Sequence, residues 1–398
     1  MTAQEPSWCD IMGGHRPPLQ QTIKDNPLAE GLSRRKFLAG LGGLAASSVL
    51  QTSCSNVSQT GKSNPRRIDV HQHIWPPRYV AIAKQNNITI VPSNGWTVEK
   101  ALDDMGQAGI SSALTSVTAP GLWVGNKDAS RAAARESNEY AAQLVRDHPG
   151  RFGMFAALPL PDVDGSLHEI EYAFDTLKAD GICLFTVYED KAAGIEDRFL
   201  GHSMFTPILE ELNRRKAVVY THPKEADCCR NLVPEIPATM IEYGTNTTRT
   251  IASLIFSGAT SRFPDLQWIF SHAGGTTPFL IDRFLIGTAE EVVPGIVTKG
   301  AGGTGVVGSN RPANVPNGVL HELRRMYYDT AQSANPISMK ALRTLVPVSQ
   351  IVFGTDFPFR TAVETGKGLT TCGVFDAQEL EAIDRGNALR LLPRFNGS

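Results

Sequence analysis

Arg67-Ile68-Asp69-Val70-His71-Gln72-His73-Ile74-Trp75 is the stretch from which the rest of the chain can be read. Ile68 and Val70 alternate with Asp69, His71 and His73, and the two-residue repeat of a strand puts the last three on one face. Two imidazoles then point at one place. In a parallel barrel that place is the C-terminal mouth, where barrel enzymes keep their chemistry. A histidine pair at this spacing is a weak signal alone, so the reading depends on how the other strands end.

From Arg66 onward, strand-like apolar runs alternate with longer helical stretches, eight times over. The runs are Arg67 to His71, Ser112 to Val117, Arg151 to Leu158, Gly181 to Val187, Ala217 to His222, Leu266 to His272, Met326 to Asp329, and Ile351 to Asp356. Near-continuous apolar strands separated by helices imply a parallel sheet covered on both faces, and eight units favour a closed (β/α)8 TIM barrel. Helices are expected over Val98 to Ala108, Ala132 to Asp147, Leu167 to Ala179 and Phe205 to Arg215. Gly287 to Gly318 is rich in Gly, Pro and Val with little period, and reads as a loop over the barrel mouth. Within it Gly302-Gly303-Thr304-Gly305 does not open a helix after a strand, which rules out a phosphate loop.

Other strands do end as the first one does. The fifth run closes on His222, the sixth on His272 and the eighth on Asp356. Three imidazoles and a carboxylate suit Zn2+, with other first-row ions as alternatives. The remaining histidines after the leader, His148, His168, His202 and His321, fall in helices or turns and read as solvated. Of six cysteines, Cys9 and Cys54 precede the barrel, and Cys183, Cys228, Cys229 and Cys372 form neither a zinc-ligand spacing nor a disulfide framework. Cys228 and Cys229 follow His222 closely enough for a thiolate ligand, but read as loop residues.

A formal charge of −2 gives no electrostatic case for nucleic acid or an anionic membrane. Residues 1–65 form a leader and linker, and residues 66–398 the barrel domain. Ser33-Arg34-Arg35-Lys36-Phe37-Leu38 precedes the uncharged run Ala39 to Leu50, the pattern of a twin-arginine (Tat) export signal within residues 33–54. That run is too short to span a bilayer, which takes about 20 residues. Export to the periplasm by the Tat machinery is therefore expected, with cleavage after Ala46-Ser47-Ser48 or a lipid anchor at Cys54.

The ordered set His71-x-His73, His222, His272 and Asp356 resembles the metal-dependent amidohydrolase superfamily. The stretches RFGMFAALPLPD (151–162), IFSHAGGTTPFLIDR (269–283), YYDTA (327–331), IVFGTDFPF (351–359) and GNALRLL (386–392) are similar to the amidohydrolase-related branch that holds aminocarboxymuconate-semialdehyde decarboxylase and aromatic acid decarboxylases, and most of all to its 6-methylsalicylate decarboxylase group. The resemblance implies one divalent ion, Zn2+ or Mn2+, on His71, His73, His222 and Asp356, with His272 beside it as an acid/base and either Asp356 or His272 as the catalytic residue that delivers the proton. The fourth strand reads GICLFTVY, without the carboxylated lysine of dinuclear members. Arg283 matches an arginine that such decarboxylases lend to a neighbour's substrate, which implies a homo-oligomer, a dimer; otherwise it pairs with Asp282 or Glu290. Trp75 would wall an aromatic substrate or pack in the barrel. The implied activity is decarboxylation of a small aromatic acid. Hydrolysis of a lactone or amide by the same groups is the alternative, and a non-catalytic metal- or ligand-binding barrel is a third reading.

Overall fold

The computed structural model describes residues 66–89, 95–286, 288, 290–292, 294 and 311–397. Arg34-Arg35, Cys54, the linker and most of the Gly287 to Gly318 segment lie outside the described residues.

Among the described residues ten strands follow in chain order: β1 (Arg67–His73), β2 (Ile110–Ser116), β3 (Phe152–Ala157), β4 (Gly181–Phe185), β5 (Val187–Asp190), β6 (Ile195–Phe199), β7 (Val218–His222), β8 (Gln267–Phe270), β9 (Tyr327–Asp329) and β10 (Ile351–Val352). Eight of them pair in parallel in the order β1-β2-β3-β4-β7-β8-β9-β10. The ring closes where the Val70 amide donates to Phe353 O at 3.0 Å, Asp356 N to His71 O at 2.8 Å and His73 N to Phe357 O at 2.9 Å. This is the expected (β/α)8 barrel. The β5–β6 antiparallel hairpin is an addition: the run read as one strand to Val187 breaks at Thr186, and its last residue starts the hairpin.

Two apolar layers hold the barrel. The inner one takes a residue from every barrel strand, among them Ile68, Val70, Leu114, Phe155, Tyr220 and Ile269, and is closed at the N-terminal end by Ala388, Leu392 and Phe395. The outer one packs strands against helices through side chains such as Trp268, Ile182 and Leu254. Fully burying each large apolar side chain contributes about 1.5–3 kcal/mol, so the two layers dominate the fold's stability.

Local chemistry sets the helix limits. Val98–Gln107 begins where Thr97 accepts a hydrogen bond from Lys100 N, and it buries Ala101 and Met105. The next helix, Lys127–Asp147, starts earlier than its apolar period suggests, because Asn126 caps Ala129 N. Val163–Glu171 gives way to a π-turn over Tyr172–Thr176, where one regular helix was expected. Cys228 and Cys229, in the connection that follows β7, are joined as a vicinal disulfide, a pairing their spacing did not suggest, which removes both as thiolate ligands. The described end of the 287–318 segment does not lie over the mouth: Asn314 Nδ2 donates to Phe256 O, at the end of helix Glu242–Phe256 that leads down to β8.

Candidate metal centre and active site

The simple alternation expected for β1 breaks within the strand. Its ladder with β2 is irregular between Asp69 and Gln72. Ile68 and Val70 point into the inner core, yet His71 also turns inward, its ring 5.2 Å from that of Tyr220. Asp69 does not join the histidines. It accepts instead from Thr355 N at 3.1 Å and Thr355 Oγ1 at 2.6 Å, beside the strand that closes the ring.

His71, His73, His222, His272 and Asp356 converge. His71 Nε2 and His73 Nε2 are 3.1 Å apart, and lie 3.2 and 3.0 Å from Asp356 Oδ1. His222 faces both, with ring centroids 5.3 and 4.7 Å away. His272 Nε2 lies 3.3 Å from Asp356 Oδ2. Ligand atoms of His71, His222, His272 and Asp356 all fall within 4.8 Å of one another, so His272 joins three of the four expected ligands, all but His73, in one possible donor group. Exposure separates them: the side chains of His71 and His73 are 0 % exposed and that of His272 is 12 %.

Strained backbone presents two of these residues. After β8 the chain turns left-handed for four residues, with φ of 55° at His272, 56° at Ala273, 74° at Gly274 and 65° at Gly275. Asp356 has φ 67° and Gln332 φ 53°. Such conformations at residues other than glycine cost roughly 1–3 kcal/mol each and persist where surrounding contacts hold them. The contacts are present: Asp329 Oδ1 accepts from His272 N at 2.8 Å, and Gln332 Nε2 donates to Asp356 Oδ2 at 3.1 Å. Asp329 Oδ2 is also 2.7 Å from His71 Nδ1. Asp329, Gln332 and Thr355 were missed as site residues. Only Asp329 carried a signal, since it ends the seventh apolar run as Asp356 ends the eighth.

The charges are strongly coupled. Burial disfavours a charged His71, but the Asp329 and Asp356 carboxylates outweigh it and push the imidazole up to about 10. Burial lowers His73, and it lowers His222 well below the ordinary range with help from His73 and His71. Burial works against ionised Asp356, yet His71 and bonds from His272, His71 and His73 hold it well below the usual carboxylate range.

The cluster fits a cation. His222 Nδ1 is buried without a hydrogen-bond partner, a cost of about 1–3 kcal/mol that a bound ion would relieve. Imidazole nitrogens with one carboxylate are a donor set for a divalent first-row metal. The residues thus supply a donor group that could hold a divalent metal ion.

Above it opens a cavity of about 670 Å³, bordered by His222, His272 and Asp356 and walled by Tyr243, Met240 and Phe359. Among the described residues no lysine or arginine lines it. Trp75 is not part of this wall. It is 6 % exposed and packs behind the site against His73, Trp96 and Phe359, and Phe359 takes its place at the cavity. Arg283 sits exposed on the short helix Ile281–Leu285, away from the cavity lining. Neither expected ion pair forms: among the described residues Arg283 has no acidic partner, and Glu290 instead accepts from Val319 N and Leu320 N.

A parallel barrel with this donor cluster at its mouth defines a metal-dependent enzyme fold, and the amidohydrolase family (Amidohydro_2) matches residues 68–394. The chain belongs to that family. It is 37 % identical over 349 residues to the decarboxylase yanB of Aspergillus niger, covering 83 % of this chain and 88 % of that protein. To 6-methylsalicylic acid decarboxylase of Penicillium expansum it is 35 % identical over 347 residues, covering 83 % and 97 %. Among solved structures, a dihydroxybenzoic acid decarboxylase from Polaromonas with bound manganese and 2-nitroresorcinol superposes with a TM-score of 0.67 at 19 % identity, covering 82 % of this chain and 96 % of the other. That likeness establishes the fold.

Proposed function

We propose that the chain is a metal-dependent, non-oxidative decarboxylase of a small hydroxylated aromatic acid of the 6-methylsalicylate kind. The observation that carries this reading is the buried donor cluster at the floor of a cavity walled by Tyr243, Met240 and Phe359. The names of the relatives at 35–37 % identity support it.

His71, His73, His222 and Asp356 would hold the ion, zinc by the predominance of imidazole, with manganese as second choice. A divalent ion there supplies Lewis acidity toward the substrate's carboxylate and an adjacent phenolic oxygen. Phe359 and Tyr243, whose rings lie 5.8 Å from that of His73 and 6.1 Å from that of His222, confine the aromatic ring. His272 gives a proton to the ring carbon that bears the carboxylate. The bond from that carbon to the carboxyl group then breaks, its electron pair restores the aromatic ring, and CO2 leaves. Asp356 Oδ2, 3.3 Å from His272 Nε2, orients the imidazole and stabilises its charge before transfer.

The basic pair Arg34-Arg35 ahead of Ala39 to Leu50 supports Tat export to the periplasm, and exposed Arg283, which has no acidic partner among the described residues, supports a homodimer in which it meets a second copy.

The test is purified protein of known metal content, incubated separately with 6-methylsalicylate, other hydroxybenzoates and a lactone panel. Metal-dependent release of CO2 with an equal amount of phenol is expected. Lactone hydrolysis without CO2 would overturn the assignment and leave the metal site standing.

A further inference from the structure

We propose that Asp329 is a positioning residue that sets two parts of the site at once: the tautomer of His71 and the location of His272. The proposal rests on reading His71 as a ligand and His272 as the proton donor.

Asp329 is fully buried at the end of β9, and both its oxygens are engaged at the mouth. Oδ2 is 2.7 Å from His71 Nδ1, while His71 Nε2 faces His73 and Asp356. With Nδ1–H donated to a carboxylate, Nε2 keeps its lone pair for the metal. Oδ1 accepts from the amides of His272 at 2.8 Å and Ala331 at 3.0 Å. The first of these bonds fixes the residue that opens the left-handed turn, and so fixes where its imidazole starts. The close approach is built into the neighbouring strand. A Cβ at Gly354 would meet Asp329 Cβ at 2.9 Å and His71 Cβ at 3.0 Å, so only glycine leaves the pair undisturbed.

The two roles separate in Asp329→Asn. Two backbone amides need an acceptor, so the asparagine oxygen turns to His272 and Ala331, and its NH2 is left facing His71. That NH2 can only donate, so His71 must offer a bare Nδ1 and carry its proton on Nε2, where the metal belongs. Asp329→Ala loses both roles.

The experiment compares wild type, Asp329→Asn and Asp329→Ala for zinc affinity by chelator competition, kcat and KM at saturating zinc, and near-UV circular dichroism. Asp329→Asn is expected to lose about 10- to 100-fold in zinc affinity and to recover a near-wild-type kcat when zinc is saturating. Asp329→Ala is expected to lose the same affinity and, in addition, to stay low in kcat with KM little changed. Wild-type zinc affinity in Asp329→Asn would overturn the tautomer role. Equal kcat in the two variants at saturating zinc would overturn the His272 role. Should neither variant fold, 15N-histidine NMR of the zinc-loaded wild type decides: a protected Nδ1–H on His71 is expected, and Nδ1 ligation would overturn the proposal. Zinc affinity and the NMR signal do not need turnover, so they read the proposal even if no acid in the panel is decarboxylated.

Discussion

Thr355 holds Asp69 twice, through its amide at 3.1 Å and its hydroxyl at 2.6 Å. The grip fastens β1 to the residue before Asp356, whose own amide bonds to His71 O. Asp69 is fully buried, and burial pushes its carboxyl up to about 7 despite these bonds. Thr355→Val keeps the shape and removes the stronger bond. It should cost about 1–3 kcal/mol, since a buried carboxyl oxygen is left without its donor, read as a lower denaturation midpoint with an unchanged m-value.

His73 and His272 both touch Asp356, yet they should respond differently to truncation. His73→Ala is expected to lose metal and activity together. His272→Ala should retain metal close to one equivalent and lose turnover by at least about 100-fold, the usual contribution of a positioned acid or base. Metal analysis beside steady-state kinetics separates the two, and full activity in His272→Ala would remove it from the proton-transfer role.

Stripping the ion with a chelator should lower the melting temperature as well as abolish activity. An ion that binds only the assembled cluster stabilises the folded chain, by about 2.7 kcal/mol at about 100 times its dissociation constant. Scanning calorimetry with and without added Zn2+ or Mn2+ checks this, and the larger upward shift identifies the preferred ion.

Phe359 borders the cavity while Trp75 stands behind it. Phe359→Ala should raise KM for an aromatic acid about 3- to 10-fold, the equivalent of one lost ring contact. Trp75→Phe should leave KM nearly unchanged. The reverse pattern in a kinetic comparison would return Trp75 to the substrate wall.

The barrel was legible because each barrel strand falls in an apolar run of suitable length, and the residues at the centre were legible because His71, His222, His272 and Asp356 close such runs and His73 follows His71 at strand spacing. Irregular features were not. The break between Asp69 and Gln72 comes from ring closure by Phe353 and Phe357, residues far away in the chain, so local alternation wrongly grouped Asp69 with the histidines. Trp75 follows the ligand pair in sequence, but nothing local says that Phe359 will stand between it and the cavity. The left-handed turn at His272 was hidden for the same reason: Gly274 and Gly275 hint at it, and the bond that holds it comes from Asp329.

Phe395 seals the N-terminal end of the inner core against residues as early as Ile68 and Val70. During synthesis, then, the first strand waits about 330 residues for its last neighbour, roughly 15–65 s at ordinary ribosome speeds of about 5–20 residues per second. Throughout that interval the nascent chain has helices to lay on its strands but no finished interior. A chaperone that shields the growing sheet, or a pause that prolongs the wait, would therefore act on the yield of folded protein without touching the chemistry at the mouth.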